Sequence, residues 1–437
     1  MKSSKRKISL AVALVLSALG ASAAQAVQPS LLGGGSTLVQ PSIGTEISMF
    51  GDGPVSYFGV GSGAGQTAFL TNSAASFGAG VTGTVDFANS DAPLTIPQIT
   101  GYTRAGTDGP LIQIPFIVTP ITIPLVNAPT GTGPLLPPPA TNPTAPGDTI
   151  PTVALNDDDL CGIFSGKLTN WNQVINPDNN SAYTTNAPIT VVYRSDSSGT
   201  TDLLTAHLHQ VCNTTNTATS VTFNETQHFA GTSAVPVADA IFPNGAPTPN
   251  FIGVSGSGAV AAQLVSFKTT STAAVSYLSP DFTNTFLAPS STPAQINQLR
   301  VASLRNPSTN ADVVPTFGNA TLAIGTVKLP TPTNAADQSQ WVPNASNPAV
   351  GYPISGTSQI ILSQCYANTG STPTVTAAVV DFLNLHYNSN AGILNGNGFD
   401  VVPSALKNLI VTDFLTAGRT NTLNIGNTAV CGKVAGR

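Results

Sequence analysis

Charge is what this sequence has least of. Only 8% of its 437 residues are Asp, Glu, Lys or Arg, and the shortage falls hardest on the cations, with 15 Lys and Arg against 20 acids. Tight binding to nucleic acid needs clustered cations to release counterions, so nucleic acid is excluded as a partner. Any anion held by this chain must be captured by local dipoles, not by the field of the whole molecule. Long apolar runs are also missing. No segment reaches the ~20 apolar residues that span a bilayer, and no membrane anchor is expected. The 41% of hydrophobic residues still suffices for folded domains, and the length suits two or three of them.

Catalytic and metal-binding patterns are equally scarce. His207 and His209 lie two apart and face different ways on a helix. His228 and His386 have no acid or cysteine at metal spacing. Asp157-Asp158-Asp159 reads as a complement to a helix dipole, not as a calcium site. A Gly-x-Ser-x-Gly elbow fails at Ser62, where Val60 replaces the first glycine, and the glycine run at 59–65 lacks proper dinucleotide spacing. We therefore assign no catalytic residue and expect neither metal nor cofactor.

Four cysteines are present, Cys161, Cys212, Cys365 and Cys431, none in a Cys-x-x-Cys pair, which argues against zinc and thioredoxin-like chemistry. The first residues supply their context. Lys2, Lys5, Arg6 and Lys7 precede an apolar stretch from Ile8 to Leu19 and the small-x-small site Ala24-Gln25-Ala26. Residues 1–26 are expected to be a signal peptide removed on export, with no cysteine near the cut to carry a lipid. The remaining chain has 11 Lys and Arg against 20 acids. In an oxidising compartment four cysteines imply two disulfides, with three possible connectivities. Local pairing, Cys161–Cys212 and Cys365–Cys431, is the expectation.

What the sequence does contain is an alternation of short apolar strands and helical stretches, which predicts α/β lobes. Leu111–Val118 and Ile189–Tyr193 read as buried strands. Asp202–Val211 reads as a helix with Leu203, Leu204, His207, Leu208 and Val211 on one face, and Val375–His386 as another. Residues 127–151 are dense in proline and read as an exposed insertion of polyproline character.

The strongest local signal is Tyr193-Arg194-Ser195-Asp196-Ser197-Ser198-Gly199-Thr200-Thr201, which ends a strand and opens a helix. A helix start presents free N–H groups and the positive end of the dipole. Ser198 and Thr200 add hydroxyls, Gly199 lets an anion approach the backbone, and the planar fork of Arg194 matches two oxygens of a tetrahedral oxyanion. Alone, the segment reads equally well as a Ser N-cap beside a surface arginine. Three further segments change that balance: the glycine turns Gly33-Gly34-Gly35-Ser36-Thr37-Leu38 and Gly59-Val60-Gly61-Ser62-Gly63-Ala64-Gly65, and Phe87-Ala88-Asn89-Ser90-Asp91, with its lone acid after a strand-like stretch.

In this order the four segments resemble the phosphate-binding proteins of ABC transporters, and most of all their DING subgroup. The resemblance extends through Leu160–Trp171, Val275–Phe282, Gly351–Ile354 and Leu362–Tyr366, so it covers most of the chain after residue 26. It implies an α/β, two-lobed periplasmic-binding-protein type II fold with an interlobe ligand cleft and two crossing segments. Lobe 1 would comprise residues 27–118 and 350–437, and lobe 2 residues 119–349. The residues matching phosphate ligands are Thr37 and Leu38 (hydroxyl and backbone donors), Ser62 (second-turn donor), Asp91 (buried acceptor), and Arg194, Ser198, Gly199 and Thr200. The implied protein is a monomer, periplasmic or secreted, that captures inorganic phosphate and passes it to an ABC permease in the inner membrane. The alternative is a secreted alkaline phosphatase of DING type. Phosphate keeps a proton at neutral pH and sulfate does not, so Asp91 would accept that proton's hydrogen bond and reject sulfate.

Overall fold

The computed structural model describes residues 27–136, 151–325, 327–343 and 345–437. The expected signal peptide and the middle of the proline-rich insertion, residues 137–150, lie outside them. The chain first lays down β1 (Leu31–Gly35), β2 (Val55–Gly59), β3 (Phe87–Ser90) and β4 (Leu111–Pro120). It continues through β5 (Pro124–Val126), β6 (Val153–Leu155) and a small hairpin of β7 (Ile175–Asn176) and β8 (Ser181–Ala182). Then come β9 (Thr190–Arg194), β10 (Phe251–Val254), β11 (Ala274–Val275), β12 (Arg300–Asn306), β13 (Ala311–Val313) and finally β14 (Ser355–Ser363).

These strands form two main sheets. The first has the order β2-β1-β3-β14-β4, with β1 parallel to β2 and β3, and β14 antiparallel to β3 and β4. The second runs β10-β9-β11-β5-β12-β13, with β6 also on β12. The chain passes between them twice, from Pro120 to Pro124 and again before Ser355. The first passage is tied by Ile121 N–H to Ile354 O (2.8 Å) and by mutual backbone hydrogen bonds between Thr122 and Leu278. Both β4 and β14 are buried along their whole length, as the apolar run of β4 requires. β4 carries Pro115 and Pro120 yet remains a strand because it is an edge strand, where a missing N–H costs no ladder bond, and because a bulge interrupts its register beside Ser358/Gln359.

The helices obey local rules. Asn156 caps the Asp157–Ser165 helix in a capping box with Asp159, and the three aspartates occupy its first turn. The two disulfides are Cys161–Cys212, which joins this helix to the residue ending the Gly199–Val211 helix, and Cys365–Cys431, which pins the C-terminal segment behind β14. The described ends of the proline-rich stretch are anchored: Gly133 N–H donates to Thr152 O, and Leu136 is buried with Leu287 and Val301. Apolar burial therefore fixes part of a segment whose composition suggested exposure throughout.

Candidate functional site

Four helices begin at the carboxyl ends of strands, two from each sheet, and their N-termini meet. From the first sheet, β1 leads through Ser36–Val39 into α1 (Gln40–Met49), and β2 leads through Val60 and Gly61 into α2 (Ser62–Thr71). From the second, β9 leads into the Gly199–Val211 helix and β10 into the Ser257–Thr270 helix. This is the place where open α/β sheets bind ligands, and the N–H groups and dipoles of such helix ends favour an anion.

The turns can pack this closely only with glycine. Gly61 has φ +92°, and a Cβ there would lie 2.7 Å from Asp196 Oδ2. A Cβ on Gly199 would lie 2.5 Å from Ser62 Oγ and 2.6 Å from Asp91 Cβ. Gly199 thus brings the start of its helix directly against Ser62 and Asp91 of the other sheet. Gly63 N–H donates to Ser197 O (3.3 Å), and Thr37 Oγ1 lies 2.8 Å from Ser257 Oγ, so both glycine turns touch the opposite lobe.

All eight expected residues belong to this junction. Arg194 is only 1% exposed, so the reading of a surface arginine fails. Ser198 is indeed the N-cap, its hydroxyl accepting from Thr201 N–H (3.3 Å). Ser62 Oγ accepts from Asp91 N–H (3.2 Å), and Asp91 Oδ2 accepts from Ser36 Oγ (2.8 Å). The Leu38 N–H donates to Ser36 Oγ (3.0 Å), while its side chain lies in the core. Three polar atoms here are buried without a hydrogen-bond partner among the described residues: Asp91 Oδ1, Thr200 Oγ1 and Ser358 Oγ, the last beside the Asp91 carboxyl. Burial pushes the Asp91 carboxyl above its ordinary value, against the opposing pull of Ser36, Ser358 and Arg194.

The fork of Arg194 is already held. Its Nε donates to Asp196 Oδ1 (2.7 Å), its Nη2 pairs with Asp196 Oδ2, and its Nη1 donates to Ser257 Oγ (3.2 Å). Burial alone would raise the Asp196 carboxyl, but Arg194 and the Gly256 N–H hold it below its ordinary value. The arginine is therefore positioned by a carboxylate on one edge, and its charge is largely offset there.

The comparisons with known proteins agree with this architecture. Residues 20–385 match the family model described as PBP superfamily domain. This chain belongs to the PBP superfamily. Within that superfamily it stands with the DING proteins. It is 34% identical over 385 residues to "Alkaline phosphatase L" of Pseudomonas aeruginosa, covering 86% of this chain and 85% of that relative. It is 32% identical to a "Phosphate-binding protein" from an unknown prokaryotic organism, covering 91% and 97%. Among solved structures it is similar to PfluDING, described as a high affinity periplasmic phosphate-binding protein bound with phosphate. That likeness has a TM-score of 0.72 at 33% identity, covering 94% of this chain and 99% of that one.

Four residues of this PBP-superfamily site escape a reading by motif. Ser36 holds Asp91, Asp196 holds Arg194, and Ser257 joins Thr37 to Arg194. Tyr277 accepts from the Arg194 backbone N–H and lies 2.8 Å from Thr201 Oγ1. Signals for three were present, Ser36 lying within the glycine turn Gly33–Leu38. Asp196 lies two residues after Arg194, and Ser255-Gly256-Ser257-Gly258 is a further glycine turn after a strand. Tyr277 lies in the resembling stretch Val275–Phe282, but its contact with Arg194 depends on the pairing of β11 with β9, which no local spacing shows. No group of three or more His, Cys, Asp or Glu suited to a metal ion occurs among the described residues.

Proposed function

We propose that this protein captures inorganic phosphate between its lobes, with Thr37, Leu38, Ser62, Asp91, Arg194, Ser198, Gly199 and Thr200 as the residues that contact it. The observation that carries this reading is the set of unpartnered buried atoms, Asp91 Oδ1, Thr200 Oγ1 and Ser358 Oγ, at the junction that also holds the buried Arg194. An acceptor and hydroxyls left together in a buried cleft suit a ligand that both donates and accepts, and hydrogen phosphate does both. Arg194 supplies charge, and the helix starts supply N–H donors. Asp91 selects the protonated oxyanion, because a carboxylate facing an unprotonated sulfate oxygen would leave two acceptors opposed. The names of the relatives support the same ligand. In this reading the protein works outside the cytoplasmic membrane and delivers phosphate to an ABC-type permease.

Titration calorimetry with phosphate, sulfate and phosphomonoesters tests the proposal. Stoichiometric phosphate binding with weak sulfate binding is expected, and equal affinity for both anions would overturn it. The name alkaline phosphatase L among the relatives favours a second reading, phosphomonoester hydrolysis. An assay with p-nitrophenyl phosphate on wild type and Arg194→Ala, purified identically, separates the two. Activity that vanishes in the variant supports the enzyme.

A further inference from the structure

Asp202 sits in the first turn of the Gly199–Val211 helix, whose N-terminal groups Ser198, Gly199 and Thr200 face the proposed anion site. It is only 7% exposed. Its backbone N–H donates to Ser198 O, but neither side-chain oxygen has a hydrogen-bond partner among the described residues. The side chain instead lines a cavity of about 290 Å³ that also reaches Asp91.

The surroundings of this carboxyl are acidic. Asp91 faces it from the end of β3, and the exposed Glu225 from the segment after the helix. The other walls, among them Val342, Pro343, Ala345, Ser346, Ser355, Gly356 and Thr357, bring no charge, and no Lys, Arg or His lines the cavity among the described residues. On the same helix, His207 directs its ring nitrogens to Ser346 O and Asp157. Arg194 is engaged by Asp196. No cationic side chain nearby therefore offsets a negative charge on Asp202, and only the positive end of its own helix does so. Burial, then Glu225 and Asp91, drive its carboxyl well above the ordinary range.

We infer that Asp202 is a proton-controlled determinant of anion affinity: the cleft takes a tetrahedral oxyanion only while the Asp202 carboxyl carries its proton. This rests on the phosphate-binding reading above. Protonated, Asp202 leaves the positive end of the helix to the ligand. Ionised, it competes for that same end and repels the bound anion. By reciprocity, binding the anion strengthens the hold of Asp202 on its proton. Affinity then falls as pH rises through the carboxyl's titration in the free protein, and one proton is taken up on binding in that range.

The test is calorimetric titration of wild type and Asp202→Asn with inorganic phosphate from about pH 6 to about pH 10, a window above the ordinary carboxylate range. The ionisation of phosphate is common to both proteins, so their difference isolates Asp202 together with its electrostatic coupling to Asp91. The expected result is similar affinity at low pH and a widening deficit of the wild type at high pH. Its limiting slope is about tenfold per pH unit, that of a single ionisation. Superimposable profiles would overturn the inference, and so would a folded Asp202→Asn that fails to bind at low pH. Should the variant not fold, the wild type alone decides. Binding heats in buffers of different ionisation enthalpy must report proton uptake in excess of that of phosphate and Asp91, and their absence refutes Asp202. Failure of the wild type to bind phosphate at any pH would instead refute the binding reading itself.

Discussion

Replacing Arg194 with alanine removes the one cation of the junction among the described residues and leaves Asp196 without its partner. A guanidinium and an oxyanion about 4 Å apart attract by about 4 kcal/mol at an effective dielectric near 20, close to a thousandfold in Kd. Two features of the structure modify that figure. Asp196 already offsets part of the charge in the wild type, which lowers the share due to phosphate. In the variant Asp196 remains as an unpaired acid beside the bound anion, which raises the loss again. Breaking a buried pair typically costs about 3–5 kcal/mol. The expected outcome is a loss of phosphate affinity of roughly a hundredfold to a thousandfold, measured by calorimetry on protein whose melting shows it folded. A second variant, Arg194→Ala with Asp196→Asn, should recover melting temperature and part of the affinity, since the stranded charge is gone. A folded Arg194→Ala that binds like the wild type would refute the placement of Arg194 in the site.

Asp91→Asn should strengthen sulfate competition against phosphate, because an amide can turn a donor toward an unprotonated oxygen; unchanged competition would assign the selection to other groups. Gly199→Ala should abolish phosphate binding with little change in secondary structure by circular dichroism, since its Cβ would collide with Ser62 and Asp91 across the junction. Loss of the Cys365–Cys431 bridge by Cys431→Ser should cost about 2–4 kcal/mol in denaturant titration. Burial raises the Asp86 carboxyl from 3.8 to about 7. The native state therefore holds a proton that the unfolded chain releases, and stability declines as pH rises between those values. Asp86→Asn should flatten that decline in melting temperature.

Much of the site was legible because its chemistry is local. A helix start needs a capping hydroxyl, a close backbone approach needs glycine, and Ser198 and Gly199 show both within the sequence itself. The helix that they open was harder to place. Periodicity begins to show only at Asp202, although the helix starts at Gly199, because Gly-Thr-Thr lacks the residues that favour a helix interior. The strand read as Leu111–Val118 runs on to Pro120, since an edge position tolerates the proline that would end a central strand. What stayed hidden are partnerships made by the fold. Tyr277 meets Arg194 and Thr201 across neighbouring strands, and Ser257 meets Thr37 over a separation of 220 residues. No local spacing encodes such contacts.

The placement of the two disulfides sets how this molecule can move. Cys161–Cys212 links elements packed on the second sheet, and Cys365–Cys431 ties the tail behind the first. Neither bond crosses from one sheet to the other. Oxidation therefore stiffens each jaw of the clamp without welding the jaws together. In the proposed capture of phosphate, a swing between them would fall to the two strips of backbone at Pro120–Pro124 and before Ser355, with no covalent cross-link having to break.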